Sequence, residues 1–495
     1  MLERIPQARA LMEKWSPLLD HKNLPKITDC FGRVDRHRTA CTAVLLENTH
    51  QALSEAAPPN SLSHPTALGY AGGNGLAGYD PILISMVRRA MPNLIAYDIA
   101  GVQPMTGPVG LIFCYRAKYV GGATGRQGSG PEAFFNEPLV QYSGATGSNG
   151  LSMGSATAYP NEADPLAGNA FGAAGGTYHA GTTAYGNAPG VSRELLEDLG
   201  TSAPFREMTF TIDKTSVTAV GRALKAEWTH ELAQDLRAIH GLEAEQELAN
   251  ELSSEIMAEI NREIIRDVYR GAKLGAQHTD LAWYGNTSAD FGATLGGVYD
   301  MVADSDGRWS AERWRGLMFQ IEREANWISK DTRRGKGNFI ICSADVASAL
   351  ALGQFLNLAP ALNQNMEVDD TGNLFAGVLN GKMKVFIDPF SGPAVSSGAQ
   401  NFCLVGYRGS SPMDAGMFYC PYVPLQLHRA QNETTFEPKI AFKTRYGLVN
   451  NPFVSVAASD GSFDANKADP KNPAAIRANM YFRIFRIKNL HGNTA

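Results

Sequence analysis

The chain has 495 residues, of which 44% are hydrophobic and 19% charged, with a net charge of -5. That balance excludes an intrinsically disordered chain and allows a large core divided over two to four lobes of about 100–200 residues each. It also excludes a broad basic face for gripping nucleic acid, and no run reaches the ~18–20 apolar residues of a membrane helix.

Taken in chain order, residues 1–55 read as a helical arm. Leu11, Met12, Trp15, Leu18 and Leu19 recur at helical spacing, interrupted at Pro17, and Val44, Leu45 and Leu46 lie on a second helical stretch from Ala40 to Ser54. Pro58 and Pro59 then end any helix, because proline lacks the amide donor. The Gly-rich stretch 60–80 reads as a linker. Asp80-Pro81 reads as a helix start running to about Ala90, followed by a buried segment at Leu94–Val102 and a strand at Leu111–Val120.

Residues 121–190 are dominated by Gly, Ala, Ser, Thr and Asn, too little side chain for a core of their own. They read as an extended excursion, ordered by neighbouring copies or mobile. Phe205–Ala226 reads as paired strands, with Met208, Phe210 and Ile212 alternating with Glu207, Thr209 and Thr211. Glu231–Ile239 reads as a short helix.

The strongest helix signal runs over 243–270. Leu248, Leu252, Ile256, Ile260, Ile264 and Val268 recur every four residues, and Met257 and Ile265 widen the stripe. Glu243, Glu245 and Glu247 at its start and Arg262, Arg266 and Arg270 at its end complement the helix dipole. Glu259–Arg262 and Glu263–Arg266 are spaced to pair. Such a helix spans roughly 40 Å and reads as a spine for a sheet. Residues 300–405 read as a separate α/β lobe. Its parts are a helix with a Trp314, Leu317, Met318, Ile321, Ala325 and Ile328 face, a strand Asn338–Cys342 ending at an N-capping Ser343, and a strand Lys384–Ile387. Strands return over Met417–Gly447 and at Tyr481–Lys488.

Motifs for chemistry fail one by one. Gly73-Asn74-Gly75-Leu76-Ala77-Gly78 fits GxGxxG with Asp98 at about the right distance, but no buried strand enters that loop, so a dinucleotide enzyme is the weaker reading. The six cysteines include no CxxC pair, and no HExxH, GxSxG or GxxxxGK[ST] occurs. Asp369-Asp370 reads as an exposed loop. The expectation is a protein that is not an enzyme and needs no cofactor or metal. Leu53-Ser54-Glu55, before Ala56, stands where the arm meets the Pro-rich linker, a place open to a protease.

Several collinear segments resemble the major capsid proteins of T-even-like tailed bacteriophages. They are Met86–Ile99, Gly101–Met105, Glu231–Ala238, Glu259–Glu263, Gly337–Ile341, Phe375–Leu379, Met413–Gly416, Phe442–Gly447 and Asn451–Phe453, so that roughly 80–120 and 205–455 are covered. The resemblance implies an α+β, HK97-like capsid fold. Its divisions would be an N-terminal arm or propeptide (1–55), a linker and helix (56–110), and an extended-loop region (111–225). A peripheral lobe with the spine helix 243–270 (226–299 and 406–495) and an axial lobe (300–405) would complete it. It also implies that a prohead protease cuts after Leu53-Ser54-Glu55, before Ala56. The arm carries eight Lys/Arg and seven Asp/Glu, so its loss is no charge switch, and its apolar face points to contact with a scaffold. The partners implied are homo-hexamers and neighbouring capsomers, head vertex, portal and scaffold proteins, decoration proteins, and packaged double-stranded DNA bound without sequence specificity. Assembly would take place in the host bacterial cytoplasm, with no membrane involved, and the product would be the virion capsid. A nanocompartment shell of the encapsulin type, with the same fold, is the alternative. The segment 121–200 departs from the T-even pattern in being shorter and Gly/Ala/Asn-rich.

Overall fold

The structure, a computed structural model, describes residues 6–21, 26–28, 33–56, 87–88, 91–120, 133, 143, 191–197, 207–276, 297–302, 304–305, 309–353, 356–357, 374–390, 401–432, 434, 436–451 and 468–490. Side chains are not described at 6–8, 52–56, 114–116, 194–195, 213 and 374. The excursion 121–190 (but for Ala133 and Ser143), the Gly-rich linker, the helix start at Asp80-Pro81 and the Asp369-Asp370 loop lie outside the described residues.

Two compact units emerge. One holds 1–111, 216–454 and 465–495; the other holds 112–215 and 455–464. In the first, α1 (Pro6–Leu19) and α2 (Arg36–Ala56) form the arm. A short helix, α3 (Ala96–Ile99), leads into β1 (Gly101–Val102). The strand β1 lies parallel to β12 (Met417–Gln431), which pairs antiparallel with β13 (Pro438–Asn450), and β13 pairs antiparallel with β4 (Val220–Glu227). The close approach at Gly101 needs glycine, since a Cβ there would stand 2.2 Å from the Pro412 carbonyl oxygen.

Helix α4 (His230–Ile239) precedes the 28-residue spine, α5 (Ala244–Gly271). The α5 stripe is buried at Leu252, Ile256, Met257, Ile260, Ile264, Ile265 and Val268, as its spacing requires, and shares one core with Leu425, Phe442 and Tyr446 of the four-stranded sheet. Its expected internal ion pairs are replaced by pairs to other elements. Arg222 of β4 takes Glu259 and Glu263 at 2.9 and 2.8 Å, while Arg262 turns to Asp388 at 2.7 Å. Packing brings these partners alongside the helix; Asp388 is buried, whereas Arg222 stays about one-third exposed.

The second sheet runs in the order β5 (Ala272–Leu274), β14 (Asn479–Lys488), β11 (Asn401–Gly406), β7 (Phe339–Cys342), β10 (Met383–Ile387), β9 (Leu374–Leu379) and β8 (Leu356–Asn357); β6 (Val298–Asp300) adds to β14. Every β7 side chain is buried because both faces are covered. Phe339 and Ile341 face the spine's core. Ile340 and Cys342 face a second core with Leu317, Ile321, Ala325 and Ile328 of α6 (Ser310–Thr332) and Val346 and Leu350 of α7 (Ala344–Leu352). Alternation along one strand therefore ties the two cores together.

Three expectations change. Ser343 takes the N-cap position of α7 but makes no side-chain cap bond, because its hydroxyl hydrogen-bonds Asn401 at 3.0 Å. The strands of Phe205–Ala226 do not pair with each other: β3 (Met208–Thr218) pairs with β2 (Val109–Tyr119), and β4 with β13. The last strand, β14, grouped from sequence with the spine's lobe, lies inside the sheet of the 300–405 segment, where all six residues of β11 find partners on it.

The strands β2 and β3 form a two-stranded ribbon, of which 112–119 and 208–215 fall in the second unit. Val120 N–H donates to the Glu207 oxygen at 3.1 Å at one end, and Ala219 N–H to the Pro108 oxygen at 2.9 Å at the other. One antiparallel register satisfies both bonds. It puts Val109, Leu111 and Phe113 on the same face as Met208 and Ile212, and these five side chains are 44–62% exposed.

Candidate functional site

The processing residues Leu53, Glu55 and Ala56 lie in the last turn of α2, whose backbone is helical through Ala56. Their side chains lie outside the described residues, so no contact is assigned to them. What the structure does bring together is the seam between the helix that carries them and the rest of the chain.

The apolar side of the arm is not left free for a scaffold. Along α2, Ala40, Cys41, Thr42, Ala43, Leu45 and Leu46 are each at most 1% exposed. Burial at consecutive positions means that the helix is covered all round over Ala40–Leu46. Its neighbours are α1, β12 and the 91–93 turn, and Cys41, Leu45 and Leu46 share a core with Met91, Leu94, Ile95 and Tyr97. Burial in that core pushes the Cys41 thiol far above its ordinary range and leaves it inert.

Polar groups complete the seam. Arg38 donates to the Pro92 oxygen at 3.0 Å and to Asp98 Oδ2 at 2.8 Å, with its guanidinium 5.3 Å from the Tyr97 ring centre. The Asn48 amide donates to the Met105 oxygen at 2.7 Å and the Tyr422 oxygen at 2.9 Å. Asp98 also takes Lys384 of β10 at 3.2 Å. Burial works to raise the Asp98 carboxyl, but Arg38, Lys384 and Arg408 outweigh it and hold it below its usual value. A cavity of about 370 Å³ opens beside it, lined by Asn338, Lys382, Lys384 and Arg408 among others.

This arrangement is structural in its chemistry. Asp98 is a counter-ion between two cations, engaged with Arg38 and Lys384 and so not offered to a ribose hydroxyl. The glycine motif that made it a nucleotide candidate lies outside the described residues. Cys41 Sγ lies 3.1 Å from His37 Nδ1, but burial holds the thiol protonated, so the pair is not an activated nucleophile. Sequence reasoning passed over Arg38, Asn48 and Lys384. The available signal was an arginine and an asparagine set ten residues apart, on either side of the apolar run Ala43–Leu46.

A family model described as "Major capsid protein Gp23" matches residues 76–487. The chain belongs to the Gp23 family of major capsid proteins. This capsid subunit is 39% identical over 418 residues to the major capsid protein of Serratia phage KSP90, covering 83% of this chain and 86% of that one. It is 32% identical to the major capsid protein of Enterobacteria phage T4, covering 97% of this chain and 98% of that one. Among solved structures, "The capsid of Myoviridae Phage XM1" aligns over 80% of this chain and 92% of that one at 10% identity with a TM-score of 0.34. The capsid subunit is a structural protein of the tailed-phage shell, not an enzyme. No helix among its described residues is long and apolar enough to cross a membrane.

Proposed function

We propose that the subunit has the HK97-like arrangement and forms hexamers that close, with head vertex and portal proteins, into an icosahedral head around double-stranded DNA. In this reading α5 is the spine of a peripheral lobe, the 300–405 segment is most of the axial lobe, and the β2–β3 ribbon is the base of the extended loop that reaches a neighbouring copy. The observation that carries it is the ribbon's exposed apolar face. A strand pair with one bare apolar face is marginal in water and is completed by a partner surface. Interfaces of the obligate class bury ~2,000 Å² or more, and the same contact repeated round a ring holds the shell.

Maturation in this reading is a cut by the prohead protease between Glu55 and Ala56. Leu53-Ser54-Glu55 at the end of α2 supports it, since one fraying helical turn gives a protease the extended backbone it binds. The Glu55→Ala substitution is expected to leave heads untrimmed and immature, read by the size of the subunit on denaturing gels and by electron microscopy. Trimmed, mature heads from that variant would remove Glu55 as the site. Scaffold and decoration proteins remain candidate partners at other surfaces.

A further inference from the structure

We propose that the face built by α3, β1 and β12 is a peptide-binding surface whose ligand is the chain's own arm after cutting, so that cleavage and release are separate steps. The natural cut rests on the processing reading of Glu55–Ala56; the docking rests on the folded precursor itself.

The arm is a folded piece. Its two helices pack together, and Glu47 of α2 binds Lys14 Nζ at 2.7 Å and Trp15 Nε1 at 3.0 Å. Burial works to raise the Glu47 carboxyl, but Lys14 and Trp15 hold it low, so this clasp is ionised at neutral pH.

Among the described residues, hydrogen bonds from three buried side chains join the arm to residues beyond the cut. Arg38 makes two, Asn48 makes two, and Arg88 reaches back to the Leu19 oxygen at 3.0 Å, on the last residue of α1. Arg38, Asn48 and Arg88 are all at least nine-tenths buried. Breaking one peptide bond near Glu55 breaks none of these contacts. Pulling the arm away strips a buried guanidinium from its carboxylate and leaves buried carbonyls bare, both costly. The ligand is thus a two-helix peptide with arginine and asparagine on its inner face. Asp98 keeps Lys384 when the arm leaves, so that carboxylate is not left bare. That retained partner makes departure feasible once another event supplies the energy.

The test uses the full-length chain with Glu55→Ala and a recognition sequence for an added site-specific protease placed between residues 60 and 80. It therefore holds whether or not Glu55 is the natural site. After complete cutting, judged on a denaturing gel, the sample is passed over a size-exclusion column. The expected result is that the arm fragment co-elutes with the body. Arg38→Ala and Asn48→Ala should each speed its loss at least tenfold, while Arg36→Ala, at an exposed position of the same helix, should change nothing. Should a variant fail to fold, retention of the unsubstituted fragment still decides the matter. A fragment that elutes alone as soon as cutting is complete, or that leaves the Arg38→Ala chain no faster, overturns the proposal.

Discussion

At the residue scale, two buried carboxylates of the spine's surroundings behave oppositely. Asp388, 1% exposed, takes Arg262 at 2.7 and 2.8 Å, Tyr269 at 2.9 Å and the Phe390 amide at 3.0 Å, and so fastens α5 to the second sheet. Asp388→Ala should destabilise the subunit by about 3 kcal/mol, measured by denaturant unfolding, because Arg262 and Tyr269 lose their acceptor. Asp267 is buried with Oδ2 unbonded. Burial, with Glu263 one turn away, raises its carboxyl to about 6, against the opposing pull of Lys471 and Arg270. A folded-state value above the unfolded one means that the folded chain holds the proton more tightly. Stability is therefore lost as pH rises from about 4 through about 6. Asp267→Asn should be more stable than the parent by roughly 1–2 kcal/mol at pH 8 and equal to it at pH 4. Thermal unfolding across that range checks it, and an equal gain at both ends would remove the titration as its cause.

At the element scale, α5 is the member on which both sheets depend. Ile260 is fully buried in the core it shares with Phe442, Tyr446 and Phe482. Ile260→Ala should cost 2–5 kcal/mol, the range for a large aliphatic removed from a packed core, and should lower the yield of folded subunit. The helix, its stripe and its ends were legible in the sequence because a period near four over 28 residues admits one reading. Its ion pairs were not. Glu259 and Glu263 have arginine three residues on, yet they bind Arg222, which lies 37 and 41 positions away in the chain. Spacing along a helix says which pairs can form, and the packing of β4 alongside decides which do.

At the scale of the whole molecule, the ribbon and the arm mark the two ways in which the capsid subunit manages apolar surface. The ribbon presents Phe113 and Ile212 to solvent, and the arm hides Leu45 and Leu46 inside its own chain. Replacing Phe113 and Ile212 together with serine should leave the melting temperature of the free subunit within about 2 °C, since neither side chain is buried. It should reduce assembly into particles severely, measured by sedimentation. Unchanged assembly would show that this face is not an interface between copies.

The sequence alone determined the α+β class, the long helix, the buried strands and the family, because periodic burial and collinear motifs are local properties of the chain. It also placed Leu53-Ser54-Glu55 at the end of a helix, which the backbone bears out. Only the tertiary structure decided where the arm goes, which strands pair, and that Arg38, Asp98 and Lys384 meet. Those three are 60 and 286 positions apart along the chain. A buried cation is drawn to whichever carboxylate the fold brings near it, and no pattern in the chain records that distance.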